Sequence, residues 1–106
     1  MASREIVWTQ TAAKQRRSIL EYWREKTGSS DYSIQLLYLA SQRTSYLAEY
    51  PEFGPSAAFS DTRVTTLGHY SIFYKIDPKQ IIITAFWDNR RNPKELYKQL
   101  SKNLEE

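Results

Sequence analysis

The chain has 106 residues, 41% of them hydrophobic, and a net charge of +3, which suits one globular domain with an ordinary core. It contains no cysteine and one histidine, so disulfides, thiolate catalysis and metal sites built on cysteines or on two histidines are excluded. The longest uncharged apolar run, residues 81–87, is far shorter than the roughly 20 residues of a membrane-spanning helix. With no signal-peptide pattern at the start, we expect a cytoplasmic protein with one domain, residues 1–106, and no membrane partner.

The beginning of the chain predicts a strand followed by a helix. Residues 5–8, Glu-Ile-Val-Trp, are typical of a short strand. Thr9 or Thr11 can cap the next helix, because a threonine hydroxyl accepts a hydrogen bond from a first-turn amide. Gly28 should end this helix, since glycine readily takes the left-handed conformation found at helix ends.

A second helix should begin at Ser30 or Asp31 and end at Tyr50, because Pro51 disfavours helical geometry in the residue before it. Only a short connection separates the two helices, so we expect them to pack as an antiparallel hairpin. The apolar face expected to meet the core consists of Ile34, Leu37, Thr44 and Leu47, with Ala40 and Ala48 beside it.

The middle of the chain predicts a loop and three strands. The loop covers residues 51–61, and Phe53 and Phe59 should pin it to the body of the domain. The last strand is nearly all apolar, which indicates a central strand covered on both faces. The three strands are expected at residues 62–67, 70–76 and 81–87.

Pro93 suits the first turn of a final helix, where its missing amide donor costs nothing. The order β-α-α-β-β-β-α indicates an α+β fold, in which a helical hairpin packs on a mostly antiparallel sheet. The apolar side of the final helix comprises Leu96, Leu100 and Leu104, with Tyr97. The core should contain Ile72, Tyr74, Ile76, Ile81 and Ile83 on the sheet, facing Ile19, Leu37 and Leu47 on the hairpin.

One segment carries the most distinctive chemistry. The glycines at positions 28, 54 and 68 are too scattered for a phosphate-binding loop, and no cofactor is predicted. In residues 86–97, by contrast, two arginines directly follow a buried strand and a proline opens a helix. Asp88 should pair with one arginine, while the remaining cations form an exposed basic face. We define the predicted basic surface as Arg90, Arg91, Lys94 and Lys98 and assign it to target binding.

These patterns, in this order, resemble the RelE/ParE superfamily of toxins. The opening Ile-Val-Trp at residues 6–8 and the three strand sequences within residues 63–87 are similar to its core. Trp-Asp-Asn-Arg-Arg-Asn-Pro at residues 87–93 resembles its frequent ending of an acid, arginines, a short polar residue and proline. The resemblance implies the toxin of a type II toxin–antitoxin system, which inhibits growth and is neutralised by a cognate antitoxin.

The superfamily implies two alternative targets. RelE-like members cleave messenger RNA on the ribosome without metal, whereas ParE-like members poison DNA gyrase. Ser71 stands where RelE-like members typically carry an arginine, and the preceding strand has Thr65 and Thr66 where they tend to carry lysines. We therefore prefer the ParE-like function; a ribosome-dependent nuclease and a non-toxic nucleic-acid-binding or adaptor protein are the alternatives. If the chain is a nuclease, the candidate catalytic residues are Arg63, His69, Arg91 and Tyr97.

The predicted hairpin carries more aromatic residues than one core face requires. Tyrosine and tryptophan are enriched at binding hot spots, so some of these rings should anchor a partner. Together with the superfamily resemblance, this favours an acidic, amphipathic antitoxin segment that binds the hairpin or extends an open sheet edge. The candidate antitoxin-binding residues are Arg16, Arg17, Tyr22 and Tyr46.

Overall fold

The computed structural model describes residues 3–103 of the chain. The elements are β1 (Glu5–Trp8), α1 (Gln10–Thr27), α2 (Asp31–Glu49), β2 (Arg63–Leu67), β3 (Tyr70–Ile76), β4 (Gln80–Asp88) and α3 (Pro93–Asn103). The sheet order is β1-β4-β3-β2; β1 lies parallel to β4, and the other neighbours are antiparallel. The predicted α+β fold and its element order are confirmed. Leu104, assigned to the last helix from the sequence, lies outside the described residues.

Local signals set the ends of the first two helices. The Thr9 hydroxyl accepts a hydrogen bond from the Ala12 amide at 3.1 Å, and Gly28 ends α1 in the left-handed conformation with φ 71°. Ser30 is the residue before α2, but its side chain makes no capping hydrogen bond. The Ser29 hydroxyl instead accepts from the Asp31 amide at 3.1 Å, so the first-turn donor is still satisfied.

The principal core lies between the hairpin and one face of the sheet. The sheet contributes Ile72, Tyr74, Ile81 and Ile83, and the hairpin contributes Ile19 and Leu47, all of them buried as predicted. Ile76 was expected in this core but is 37% exposed, because it ends β3 beside the exposed turn to β4.

The predicted inner face of α2 is wrong at two positions. Ile34 and Leu37 are 64% and 43% exposed, whereas Ser33 and Leu36 are buried. The Ser33 hydroxyl donates to the Leu20 carbonyl at 2.6 Å, and small Ala40 is also buried, so α2 approaches its neighbours along this face. Because α2 is apolar over more than one face, spacing alone could not choose between them.

β4 is covered on both faces, as predicted for a central strand. A second, smaller core lies on the sheet face away from the hairpin, where Leu96 of α3 packs with Ala85 and Trp87. Phe59 from the loop before β2 joins this cluster, with its ring centroid 5.7 Å from that of Phe73.

Candidate functional site

The turn that follows β4 is ordered by an ion pair. The Arg90 guanidinium donates two hydrogen bonds of 2.9 Å to the two carboxylate oxygens of Asp88, which also accepts from the Arg90 amide. These hydrogen bonds hold the pKa of Asp88 below its usual range. The predicted pairing of Asp88 with an arginine is confirmed. Arg90 therefore holds the shape of the turn, and its guanidinium also lies 5.8 Å from the Trp23 ring centroid.

The other cations of the predicted basic surface are exposed. The Arg91 guanidinium lies 4.3 Å from the centroid of the Trp87 ring, which supports its planar group without neutralising its charge. Lys94 makes no ion pair with any residue between 3 and 103. Lys98 lies one helical turn further along α3, 3.9 Å from a Glu95 carboxylate oxygen. Arg91 and Lys94 are thus the cations of this surface with no carboxylate partner in the described chain.

The structure does not bring the four candidate nuclease residues together. Arg63, at the start of β2, donates to the Gly54 carbonyl at 2.7 Å and is engaged with the preceding loop. His69 lies in the turn beyond the far end of β2, where its carbonyl accepts from the Asn89 amide at 2.8 Å. This contact places His69 beside the turn that carries Arg91.

Tyr97 lies in a different environment from His69. Its ring is on α3, with its centroid 5.0 Å from that of Phe59, on the sheet face away from the hairpin. The hydroxyl makes no hydrogen bond within residues 3–103, and the residue is 47% exposed. The described geometry therefore separates Tyr97 and Arg63 from the end of the sheet that carries His69.

Arg16, one of the candidate antitoxin residues on α1, borders a groove beside the hairpin. The Arg16 guanidinium lies 4.2 Å from the centroid of the Trp8 ring, and its partial burial lowers its pKa, with a smaller contribution from Arg17. Arg17 itself is exposed. The groove has a volume of about 320 Å³ and is lined by Ile6, Trp8, Arg16, Leu37, Ala40, Ser41, Thr44 and Ser45.

Tyr22 and Tyr46 lie at opposite ends of the hairpin. Tyr22 packs on Trp23, which contacts Tyr32 at the start of α2, with centroid distances of 5.2 Å and 5.0 Å. Tyr46 is fourteen residues beyond Tyr32 on the same helix, a distance of about 21 Å at 1.5 Å per residue. Its ring packs on Phe53, 5.0 Å away between centroids. One partner could contact both tyrosines only by spanning the length of the hairpin.

Sequence reasoning missed two exposed apolar residues on the surface of α2. Ile34 and Leu37 were assigned to the core, yet both are exposed, and Leu37 lines the groove beside Arg16. A second depression is lined by Leu20, Arg24 and Ile34 and also includes Leu37. The available signal was the surplus of apolar residues around α2, because a helix that is apolar on two sides has two surfaces to cover.

The family profile described as "ParE toxin of type II toxin-antitoxin system, parDE" matches residues 6–93. The chain belongs to the ParE toxin family. The fold is also similar to that of a solved structure titled "Chromosomal ParDE TA system from P. aeruginosa", with a TM-score of 0.69 and 17% sequence identity. The match covers 79% of this chain and 94% of that chain. A search of curated proteins gives no significant match.

This ParE-family protein is therefore a toxin of a type II toxin–antitoxin system, and its partner is an antitoxin, as predicted. The family match ends at Pro93, so it includes Arg90 and Arg91 but not Lys94 or Lys98.

Two structural findings bear on the remaining expectations. Within residues 3–103, no helix is both long enough and apolar enough to cross a membrane. The same part of the chain contains no group of three histidine, cysteine or acidic side chains placed to hold a metal ion.

Proposed function

We propose that this ParE-family toxin inhibits growth by binding DNA gyrase, without catalysing a reaction on it. The observation that carries the proposal is the separation of the candidate acid–base residues. Metal-free RNA cleavage requires a base at the 2′-hydroxyl, an acid at the leaving oxygen and cations at the phosphate, all within hydrogen-bond reach of one phosphodiester. Arg63 lies at the opposite end of β2 from His69, where it donates to the Gly54 carbonyl. Tyr97 packs on Phe59, on the sheet face away from the hairpin.

The target-binding surface in this proposal is centred on Arg91 and Lys94. Both are exposed and have no carboxylate partner within residues 3–103, so an acidic surface can pair with them without displacing an internal ion pair. Arg90 orients the turn through Asp88, and Lys98 extends the positive charge along α3. Arg91 lies in the turn after β4, and Lys94 lies in the first turn of α3.

The antitoxin in this proposal binds the hairpin on a separate surface. Arg16 and Arg17 attract an acidic segment, while Leu37 and Trp8 of the groove accept its apolar side chains. Tyr22 and Tyr46 lie at the two ends of the hairpin, which fits an extended antitoxin segment that runs along its whole length.

A supercoiling assay with purified gyrase tests the proposed target. We expect the toxin to inhibit gyrase, and the double variant Arg91→Ala/Lys94→Ala to lose both inhibition and toxicity while its melting temperature is nearly unchanged, since exposed charge contributes little stability. The matched control is Lys14→Ala/Lys79→Ala, which removes the same charge from two other exposed positions. Full toxicity of the first variant at equal abundance would contradict the assignment of this surface.

Transcript mapping separates the proposal from a nuclease. Tyr97→Phe removes the hydroxyl but keeps the ring that packs on Phe59, and His69→Ala removes the imidazole. We expect both variants to remain toxic, with no site-specific cleavage of messenger RNA. Ribosome-dependent cleavage that either substitution abolishes would refute the gyrase proposal in favour of the RelE-like alternative. A toxin that neither inhibits gyrase nor cleaves RNA would favour the adaptor alternative.

A further inference from the structure

A cavity lies on the sheet face away from the hairpin, between α3, the sheet and the loop before β2. Its volume is about 400 Å³, within the range of roughly 300–1,000 Å³ that is typical of small-molecule sites. Most of the lining surface is apolar, contributed by Phe59, Leu100 and the ring of Tyr97. The polar residues of the lining that bear on its chemistry are Thr62, Lys75, Thr84 and Ser101.

A β-bulge places Thr84 in this cavity. Tyr74 pairs with Ile83 and Phe73 pairs with Ala85, so Thr84 is an extra residue of β4 with no partner on β3. Bulges re-aim a side chain and are over-represented beside functional sites. The residues on either side of Thr84 are both buried: Ile83 lies in the core under the hairpin, and Ala85 lies in the smaller core.

The Thr84 hydroxyl has no hydrogen-bond partner within residues 3–103. The residue is 9% exposed, and its hydroxyl oxygen is buried. A buried polar group without a partner destabilises a fold, so such groups in proteins are normally hydrogen-bonded. Two other hydroxyls of the lining have partners: Thr62 donates to the Ser60 carbonyl at 2.9 Å, and Ser101 donates to the Tyr97 carbonyl at 2.8 Å. Thr84 therefore carries a buried hydroxyl whose hydrogen-bonding capacity no residue between 3 and 103 uses.

Among the described residues of the lining, Lys75 is the only one that carries a formal charge. It lies on β3 and makes no ion pair with any described residue. Asp61 and Asp77 line an adjoining depression that also includes Lys75, but neither carboxylate lies within salt-bridge distance of its ammonium group. The cavity thus combines an apolar wall, a partnerless donor and an unpaired cation.

We propose that this cavity binds a small carboxylate with an apolar body. The carboxylate accepts hydrogen bonds from the Thr84 hydroxyl and pairs with the Lys75 ammonium group, while the apolar body lies against Phe59, Tyr97 and Leu100. The site is distinct from the hairpin groove and from the Arg91 and Lys94 surface. Because the bound molecule would contact both α3 and the sheet, it would hold the helix that carries Lys94 in place.

Octanoate is a suitable probe, and octan-1-ol is the matched ligand with the same chain but no charge. We expect octanoate to bind the wild-type toxin in calorimetry and to shift the backbone amide resonances of residues around Phe59, Thr84 and Leu100. Octan-1-ol should bind at least tenfold more weakly, since it lacks the charge-assisted hydrogen bonds. Equal binding of the two probes, or resonance shifts confined to the hairpin groove, would overturn the proposal.

Two variants test the named groups. Thr84→Val keeps the side-chain shape, and we expect it to weaken octanoate binding about tenfold without lowering the melting temperature, because it removes a hydroxyl that has no internal partner. Lys75→Met should weaken binding to a similar extent, whereas the control Lys79→Met, in the exposed turn before β4, should not. A lower melting temperature for Thr84→Val would show that the hydroxyl has a structural partner. Unchanged octanoate affinity of Lys75→Met would show that this cation does not contact the carboxylate. Either result refutes the proposed carboxylate site.

Discussion

Replacing Tyr74 with phenylalanine tests how the loop before β2 is held. The Tyr74 side chain has no exposed surface, and its hydroxyl donates to the Pro51 carbonyl at 2.7 Å and accepts from the Gly54 amide at 2.9 Å. Burial raises the pKa of this hydroxyl, so it stays protonated and can act as both donor and acceptor. Arg63 adds a third hydrogen bond to the same loop, to the Gly54 carbonyl.

The loss of stability expected for Tyr74→Phe follows from the two backbone groups that lose the tyrosine hydroxyl as their hydrogen-bond partner. The Gly54 amide is buried and would lose its only partner within residues 3–103, and an unsatisfied buried donor costs about 1–3 kcal/mol. A loss of about 2 kcal/mol corresponds to a melting temperature lower by roughly 8–16 °C in a domain of this size. Urea denaturation should show a lower midpoint with an unchanged slope, because the surface exposed on unfolding stays the same.

The matched control is Tyr97→Phe. It removes the same hydroxyl from a half-exposed ring whose oxygen makes no hydrogen bond within residues 3–103. We expect its midpoint to equal that of the wild type. Equal midpoints for Tyr74→Phe and Tyr97→Phe would refute the assignment of the Tyr74 hydroxyl as the anchor of this loop.

Three further outcomes are expected. Ile83→Ala should lower the free energy of unfolding by about 2–5 kcal/mol, because Ile83 has no exposed surface; an unchanged denaturation midpoint would contradict the described core. Since Arg90 lowers the pKa of Asp88, this carboxylate stabilises the fold above its ordinary value of 3.8, and the stabilisation is lost as the pH falls through the lowered value. Asp88→Asn should therefore flatten the acid limb of a plot of melting temperature against pH, and an unaltered limb would count against the ion pair. Arg17→Glu should slow antitoxin association in stopped-flow experiments and reduce its salt dependence; an effect on dissociation alone would exclude electrostatic steering.

Much of the fold could be predicted from the sequence because its signals are local. Thr9 and Gly28 delimit the first helix through contacts within a few residues of themselves, and Pro51 and Pro93 restrict the backbone beside them. The apolar run of residues 81–87 indicated the central strand, since burial on both faces requires apolar residues at successive positions. The pairing of Asp88 with Arg90 is likewise a contact between near neighbours.

The tertiary structure decided what depends on distant partners. The buried face of α2 depends on how Ser33 meets α1, and the sequence of α2 permits two apolar faces. The bulge at Thr84 arises from the pairing of β3 with β4, so the strand pattern of β4 gave no sign of it. Gln15, overlooked in the sequence, accepts from the buried Phe86 amide and donates to Gln99 of α3, 84 residues away. Local chemistry fixes where helices and strands begin and end, whereas the position of each site depends on contacts that form only when these elements pack together.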